Sequence, residues 1–151
     1  MAQTSSSMQL TRAADYAVRV MIHLATQPED ARALLPDLAR ATGVPSSFLS
    51  KVLQALRDAG FVTSRRGRAG GFCILPQGRR ATMRTLIEAI DGPICLNVCM
   101  ISGAACGRWP RCPAHPVWVR AQEAMLSVLD ACTVDDLADR SGENRMRLTT
   151  G

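Results

Sequence analysis

Two cysteines and a histidine lie close together in the segment CGRWPRCPAHPVW, which runs from Cys106 to Trp118. Cys112 follows Cys106 after five intervening residues, and His115 follows Cys112 after two. Thiolates and neutral imidazoles are ligands for zinc and for iron–sulfur clusters, and two nearby thiols can also form a disulfide. The segment therefore indicates a metal centre, a disulfide or a chance cluster.

The expected cellular compartment helps to decide between a metal centre and a disulfide. The start MAQTSSSMQL lacks the basic residues and the apolar run of a secretory signal, and no stretch of the chain approaches the length of a membrane span. We therefore expect a cytoplasmic protein, in which six cysteines favour metal binding or redox chemistry over a disulfide framework. Cys73 and Cys132 lie among apolar residues and are expected to pack in the core.

Charge is distributed unevenly along the chain. Residues 1–80 carry 11 Arg and Lys against 5 Asp and Glu, whereas residues 81–151 carry 7 against 8. A basic first half is typical of a part that binds a polyanion such as DNA. The sequence has no Cys-x2-Cys redox pair, no phosphate-binding glycine loop and no Ser/His/Asp arrangement, so we expect no enzymatic activity.

The basic half contains a predicted helix-turn-helix. A helix with an apolar face begins at Thr11, and two more are predicted at about 36–42 and from residue 46 to the glycine at residue 60. Ser46 or Ser47 can cap the third helix, and Gly43 lies just past the end of the second. Two helices joined by a short turn that contains Gly are typical of this DNA-binding motif.

A predicted β-hairpin follows the third helix directly. Two β-like runs, 61–64 and 72–75, flank the turn RRGRAGG, which makes the hairpin a wing. Small polar residues at the start of a recognition helix contact bases, and arginines in a wing contact phosphate or enter a narrow minor groove. We therefore predict a mainly α fold with a winged helix-turn-helix, whose candidate DNA contacts are Ser46, Ser47, Ser50, Lys51, Gln54, Arg65, Arg66 and Arg68.

The second half contains two predicted helices on either side of an irregular stretch. Thr82 can cap the first helix, residues 92–115 show no periodicity, and Pro116 suits the first turn of a long last helix. Thr133 can cap a short helix after it. The apolar face of the long helix comprises Trp118, Ala121, Met125, Val128, Leu129 and Cys132.

Two segments resemble one known family. MQLTRAADYAVRVM and VPSSFLSKVLQALRDAGFVTSRRGRAGGFCI are similar to the winged-helix transcriptional regulators of the Rrf-two (Rrf2) family, which include the iron–sulfur regulators IscR, NsrR and RirA. The resemblance implies a homodimeric repressor that binds a partly palindromic DNA operator under the control of an iron–sulfur cluster. The resemblance runs from about Met8 to Leu137, and we expect a winged helix-turn-helix DNA-binding part at 8–80, a cluster-binding loop and a long C-terminal dimerisation helix at 81–137, and a flexible tail at 138–151.

The resemblance also implies ligands for the cluster. In the IscR pattern three cysteines and a histidine hold a [2Fe–2S] cluster, and Cys106, Cys112 and His115 match the end of that pattern. The first cysteine is either Cys99, whose spacing is nearer to the pattern, or Cys95. We expect Cys99, Cys106, Cys112 and His115 to be the ligands.

Two alternatives stay open. Asp15 aligns with the acidic residue through which NsrR-like members ligate a [4Fe–4S] cluster across the dimer, so Asp15 of the second protomer could replace His115. Because some family members lack cluster cysteines, the loop could also hold structural zinc or no metal. The signal that the protein senses and its operator do not follow from the sequence.

Overall fold

The computed structural model describes residues 10–109 and 111–149, with side chains as far as Glu143. The outermost predicted residues, 8–9 and 150–151, lie outside these ranges. Within them the fold is mainly α-helical with a two-stranded antiparallel sheet, and no helix is long and apolar enough to cross a membrane. The elements in chain order are α1 (Arg12–Ala25), α2 (Leu35–Thr42), α3 (Ser46–Asp58), β1 (Val62–Arg65), β2 (Gly71–Ile74), α4 (Pro76–Arg80), α5 (Met83–Asp91), α6 (Val98–Ile101), a 3₁₀ turn (Gly103–Ala105), α7 (His115–Asp130) and α8 (Val134–Thr149).

Helix α1 lies at the centre of the core. Thr11 caps it, since its Oγ1 accepts a hydrogen bond from the Ala14 N–H at 3.2 Å. Its apolar face packs against α2, α3, α5 and α8. Each of these helices contributes a fully buried side chain to the same core, namely Leu38, Leu53, Leu86 and Val134. The predicted boundary at residue 80 therefore separates two segments that share one hydrophobic core.

Helices α2 and α3 form the predicted helix-turn-helix. Helix α2 ends at Gly43, whose φ of +69° is the left-handed conformation expected of a glycine C-cap. Helix α3 begins at Ser46 with Pro45 as its N-cap, and no side chain caps it. The prediction that Ser46 or Ser47 caps α3 is wrong, because Pro45 supplies the extended residue whose carbonyl accepts the Leu49 N–H at 2.9 Å. Both serines are exposed.

Strands β1 and β2 form the predicted wing hairpin, displaced by about one residue. Arg65 pairs with Gly71 at the end of the ladder. Ala33, in the segment before α2, pairs with the other side of β2. It exchanges two backbone hydrogen bonds with Phe72, at 2.8 and 2.9 Å. Gly71 permits this pairing, because its φ is +117° and a Cβ there would lie 2.7 Å from the Ala33 carbonyl oxygen. The segment before α2 thereby fixes the base of the wing.

Helix α8 is longer than predicted, and its first turn is capped and anchored in the core. Thr133 caps it as expected: its Oγ1 accepts the Asp136 N–H at 3.2 Å, and the Asp136 carboxylate accepts the Thr133 N–H at 2.8 Å. Val134 and Ala138 are buried in the core. The predicted tail at 138–151 is helical as far as Thr149. This helix was not predicted because its polar sequence has no apolar period.

We expect Gly71→Ala to destabilise the fold. The new Cβ would clash with the Ala33 backbone, and a non-glycine residue is strained at this positive φ, so the free energy of unfolding should fall by at least about 1–3 kcal/mol. Urea unfolding measures the change. Gly142→Ala is the matched control, since Gly142 lies in α8 with open space around its Cβ position, and this variant should be neutral or slightly more stable. Equal losses in both variants would contradict the role of Gly71.

We also expect the cap of α8 to weaken in acid. Hydrogen bonds from the backbone and hydroxyl of Thr133 lower the pKa of Asp136 below its ordinary value of 3.8. The carboxylate therefore contributes stability above pH 3.8 that is lost as the pH falls through the lowered pKa. Urea unfolding of Asp136→Asn on both sides of this value should show a smaller pH dependence than wild type. Asp139→Asn, which removes an exposed carboxylate from the same helix, should follow wild type, and identical profiles for all three proteins would refute the prediction.

Candidate DNA interface and thiol loop

The outward face of α3 carries the predicted base contacts. Leu49, Val52, Leu53 and Leu56 are buried on the other face. The exposed set, which we call the recognition face, comprises Ser46, Ser47, Ser50, Lys51 and Gln54. Ser50 Oγ donates to the Ser46 carbonyl at 3.2 Å, whereas Ser47 and Lys51 have no side-chain partner in the part of the chain that the structure describes. Free hydroxyl and ammonium groups at the start of the helix are available to an external partner.

The wing tip presents three predicted arginines. Arg65 ends β1, while Arg66 and Arg68 lie in the following turn, and all three are exposed. A hydrogen bond of 2.9 Å from the Gly70 N–H to the Gly67 carbonyl closes this turn. None of the three arginines forms an ion pair with a described residue. Three unpaired guanidinium groups on a tight hairpin suit phosphate contacts.

Side-chain hydrogen bonds join the recognition face to the wing through Arg57. Neither Arg57 nor Asp58, which also bonds to this face, was among the predicted contacts. Arg57 donates to Ser64 Oγ of β1 at 3.4 Å and to Gln54 Oε1 at 2.7 Å. The amide of Gln54 in turn donates to Asp58 Oδ1 at 2.8 Å. The i, i+3 and i, i+4 spacing of these side chains was the signal in the sequence that could have found them.

An aromatic pair lies beside the recognition face. Phe48 is 50% exposed, and its ring meets the ring of Tyr16 edge to face with centroids 5.9 Å apart. The Arg19 guanidinium lies 5.9 Å from the Tyr16 centroid and pairs with Asp15 at 2.8 Å. Asp15, the alternative cluster ligand, is therefore an exposed carboxylate held by an arginine of its own helix.

The segment at 92–114, which we call the thiol loop, is anchored where it begins. The Ile94 N–H donates to Glu88 Oε1 of α5 at 3.2 Å, and the Leu96 N–H donates to Gln122 Oε1 of α7 at 2.9 Å. Asp91, the last residue of α5, accepts hydrogen bonds from the backbone and the hydroxyl of Thr11 at 3.2 and 2.5 Å. The start of the loop is thus tied to α1, α5 and α7.

Arg84 connects the same anchor to the far end of α7. Its guanidinium pairs with Glu88 at 3.3 Å and with Asp130 at 3.1 Å. The hydrogen bond to Asp130 is the largest of the effects that raise the pKa of Arg84 above its ordinary value. The carboxylate that holds the start of the thiol loop is therefore linked to the C-terminal end of α7.

The predicted ligands lie on different parts of the thiol loop. Cys99 is in α6, Cys106 follows the 3₁₀ turn, Cys112 lies in the turn before α7, and His115 is the first residue of α7. All the loop cysteines are free and half-buried, while Cys73 is buried in the core as predicted. Among the described residues no three His, Cys, Asp or Glu side chains lie close enough to hold a metal ion. The structure does not bring the four predicted ligands together.

One ring nitrogen of His115 is nevertheless unusual. Nδ1 is buried and has no hydrogen-bond partner among the residues that the structure describes. The Trp109 ring packs edge to face against the imidazole at a centroid distance of 6.4 Å, and Gly103 lets this indole approach, since a Cβ there would lie 2.8 Å from it. An unpaired buried polar atom costs about 1–3 kcal/mol. A free imidazole nitrogen at the end of a loop that also carries half-buried thiols supplies the donor types of an iron–sulfur cluster or of zinc, although these donors are not gathered around one point.

Helix α7 has no buried residue. Two residues of its predicted apolar face are exposed in this chain, Trp118 at 37% and Val128 at 71%, and the adjacent Val117 is 65% exposed. Because α7 ends at Asp130, Cys132 lies in the turn before α8 and not on this face, and it is half-buried rather than a core residue. A helix this exposed and this apolar is typical of an interaction surface.

The exposed recognition face and the arginine wing define a DNA-binding winged-helix protein. Residues 10–140 match the model of the Rrf2 family, described as an iron-dependent transcriptional regulator. The chain belongs to this family and is a transcriptional regulator, not an enzyme. The family and the mainly α winged helix-turn-helix fold are confirmed.

Three relatives show the extent of the similarity. The regulator NsrR of Geobacillus kaustophilus is 30% identical over 133 residues, which cover 87% of this chain and 90% of that protein. The regulator IscR of Xenorhabdus nematophila is 27% identical over 153 residues, with 95% and 93% coverage. The structure of CymR, the global cysteine regulator of B. subtilis, matches with a TM-score of 0.72 and 27% identity, covering 87% of this chain and 97% of that one.

We expect the wing arginines to contact DNA phosphates. Replacing Arg65, Arg66 and Arg68 together with alanine should weaken binding to all sequences and should flatten the dependence of log K on log salt by about 0.9 for each lost phosphate contact. Fluorescence anisotropy with a duplex at several salt concentrations measures the slope. Arg140→Ala, which removes an exposed charge from α8, should leave the slope unchanged. An unaltered slope in the triple variant would rule out the wing as a phosphate contact.

Proposed function

We propose that this regulator is a cytoplasmic, homodimeric repressor whose affinity for its operator is controlled by an iron–sulfur cluster in the thiol loop. Cys99, Cys106, Cys112 and His115 are the proposed ligands, and the proposed cluster is of the [2Fe–2S] type. The observation that carries the proposal is the buried Nδ1 of His115, which has no partner and lies in the residue that begins α7. Relatives that include IscR and NsrR support it.

The form of the thiol loop supports cluster binding. The three proposed thiolates lie in a four-residue helix and in turns, which can adjust more readily than long helices. Cys112 and His115 are already joined by a hydrogen bond from the His115 N–H to the Cys112 carbonyl at 3.2 Å. Closing a chelate over so few residues costs little chain entropy. When bound, the cluster would supply redox chemistry and a covalent link between the segments that carry the ligands.

His115 is a better candidate for the fourth ligand than Asp15. Ligation by Asp15 of a second protomer would compete with its 2.8 Å surface ion pair to Arg19 and depends on the geometry of the dimer. His115 lies three residues from Cys112 on the same chain and leaves a buried nitrogen unpaired when no ligand is bound. Binding through His115 therefore gives a partner to a buried polar atom, whereas Asp15 already has a partner at the surface.

The uncovered apolar face of α7 supports a homodimer. Valine and tryptophan side chains along α7 remain exposed in the protomer, so pairing with a second copy would bury them and gain about 25 cal/mol per Å² of apolar area. A helix-turn-helix dimer recognises two half-sites whose spacing follows from the dimer geometry. Two copies joined through α7 would suit a partly palindromic operator.

The anchors of the thiol loop provide a route from cluster to DNA. Asp91 binds Thr11 at the start of α1, and α1 packs directly against α3. Glu88 holds the loop backbone and is linked through Arg84 to Asp130 at the end of α7. A change in the loop can therefore act on the recognition helix through α1 and on the dimer helix through α5. Such a coupling of two sites through shared packed elements is the physical basis of allosteric control.

Structural zinc is the second candidate, because three cysteines and a histidine are also an ordinary zinc ligand set. Anaerobic purification separates the two. A cluster gives visible absorbance with iron and acid-labile sulfide in each protomer, whereas a zinc site gives zinc and no visible absorbance. Zinc without iron would overturn the cluster proposal and favour the alternative.

Single alanine variants test the ligands. We expect substitution of Cys99, Cys106, Cys112 or His115 to remove or strongly reduce the visible absorbance, because a cluster cannot readily lose one of its four protein ligands. Cys73→Ala and Cys132→Ala are the thiol controls and should keep it. If Cys95→Ala lost the visible absorbance and Cys99→Ala kept it, the choice of Cys99 as the first ligand would be wrong. A stable cluster in His115→Ala and a lost one in Asp15→Ala would favour the [4Fe–4S] arrangement.

A further inference from the structure

The recognition face contains one side chain that is held from two sides. Arg57 Nη2 donates to Gln54 Oε1 at 2.7 Å, and Gln54 Nε2 donates to Asp58 Oδ1 at 2.8 Å. Both partners lie one helical turn further along α3, on the same side of the helix as Gln54. The exposed amide of Gln54 is therefore clamped between a cation and an anion.

The clamp fixes which end of the amide accepts and which end donates. A guanidinium group can only donate hydrogen bonds, and an ionised carboxylate can only accept them. Turning the amide over would place its NH2 group against Arg57 and its oxygen against Asp58, which are two repulsive contacts. The amide oxygen has two lone pairs and the amide nitrogen two N–H groups, so one acceptor and one donor remain for an external partner. Their order along the helix is set before DNA binds.

Adenine is the base that matches this remaining pair. In the major groove adenine offers the N7 acceptor next to the N6 amino donor, and a glutamine amide can bind both at once. Guanine offers two acceptors there, cytosine a donor and thymine an acceptor beside a methyl group, so none of them satisfies both groups. We propose that Gln54 recognises an adenine in each half-site of the operator, and that Arg57 and Asp58 are the positioning residues that orient its amide. The inference rests on the DNA-binding role of the recognition face.

The location of Asp58 supports the clamp. Asp58 is the only acidic residue between positions 46 and 80, a segment that contains seven basic residues. It is also the last residue of α3, where the negative end of the helix dipole disfavours a carboxylate. Its charge opposes phosphate binding as well. The hydrogen bond to Gln54 is the contact that the side chain makes at this unfavourable position. Arg57 also reaches Ser64 of the wing, so the clamp is fixed to both DNA-binding elements.

Selection from a randomised operator library tests the proposal with the full-length protein. Wild type should enrich adenine at one position in each half-site, and competition with the other three base pairs there should weaken binding by about 5- to 100-fold. Gln54→Ala should lose this preference and keep the preferences at the other positions. Gln77→Ala is the control, because Gln77 is an exposed glutamine of the neighbouring helix α4. Thermal unfolding confirms that each variant is folded.

Asp58→Asn separates positioning from direct contact. An asparagine can donate as well as accept, so the Gln54 amide is no longer held in one orientation. The preference for adenine should fall at that position alone, while overall DNA affinity should not fall, since a negative charge has been removed. A purely structural role of Asp58 would change stability or total affinity without changing the preference at one base pair.

The remaining outcomes are distinct. An unchanged base preference in Gln54→Ala, or a wild-type preference for another base at the affected position, would overturn the proposal. If Gln54→Ala lost the preference for adenine but Asp58→Asn kept it in full, the positioning role of Asp58 would be overturned. If wild type enriched no sequence at all, the assignment of the recognition face itself would fail.

Discussion

The burial of α1 between the helix-turn-helix and the C-terminal helices constrains where every functional element can lie. Its apolar face packs on α2 and α3 from one half of the chain and on α5 and α8 from the other. Its first turn, at Thr11, is hydrogen-bonded to Asp91 immediately before the thiol loop. Because packed helices shift as units and do not deform continuously, a displacement of this loop anchor would be carried to the recognition helix.

Several groups of the described chain have no apolar contact, counter-charge or hydrogen bond of the kind that would stabilise them. The α7 face is apolar and uncovered, the wing arginines have no acidic partner among the described residues, and Nδ1 of His115 is buried without a hydrogen bond. Each of these is unfavourable or neutral in an isolated chain and becomes favourable with the matching partner. The phosphates of DNA match the arginines, and the proposed second protomer and proposed metal centre would match the other two groups.

Much of the fold follows from local signals in the sequence. Thr82 and Thr133 cap helices where they are predicted to, α1 begins one residue after its predicted start at Thr11, and Gly43 follows α2 in the left-handed conformation. Apolar residues at helical spacing identify the buried faces of α1 and α3, and the glycine- and arginine-rich turn identifies the wing. These signals are readable because capping, turn formation and amphipathicity depend on residues within a few positions of one another. The candidate ligands could be recognised for the same reason, because they are identified by the spacing of cysteines and a histidine within one segment.

Contacts between distant segments were decided only by the tertiary structure. The pairing of Ala33 with Phe72 and the bond between Thr11 and Asp91 join residues that no local pattern connects. Helix α8 continues past Ala138 although its polar sequence carries no apolar period, and its first turn is anchored against α1 and α4. The sequence by itself determined most of the elements, the DNA-binding class and the candidate ligands, but it did not predict the short helices α4 and α6. Which of those elements pack together, which side chains remain exposed and which nitrogen is left unpaired depend on long-range packing, because burial is a property of the whole fold and not of any one segment.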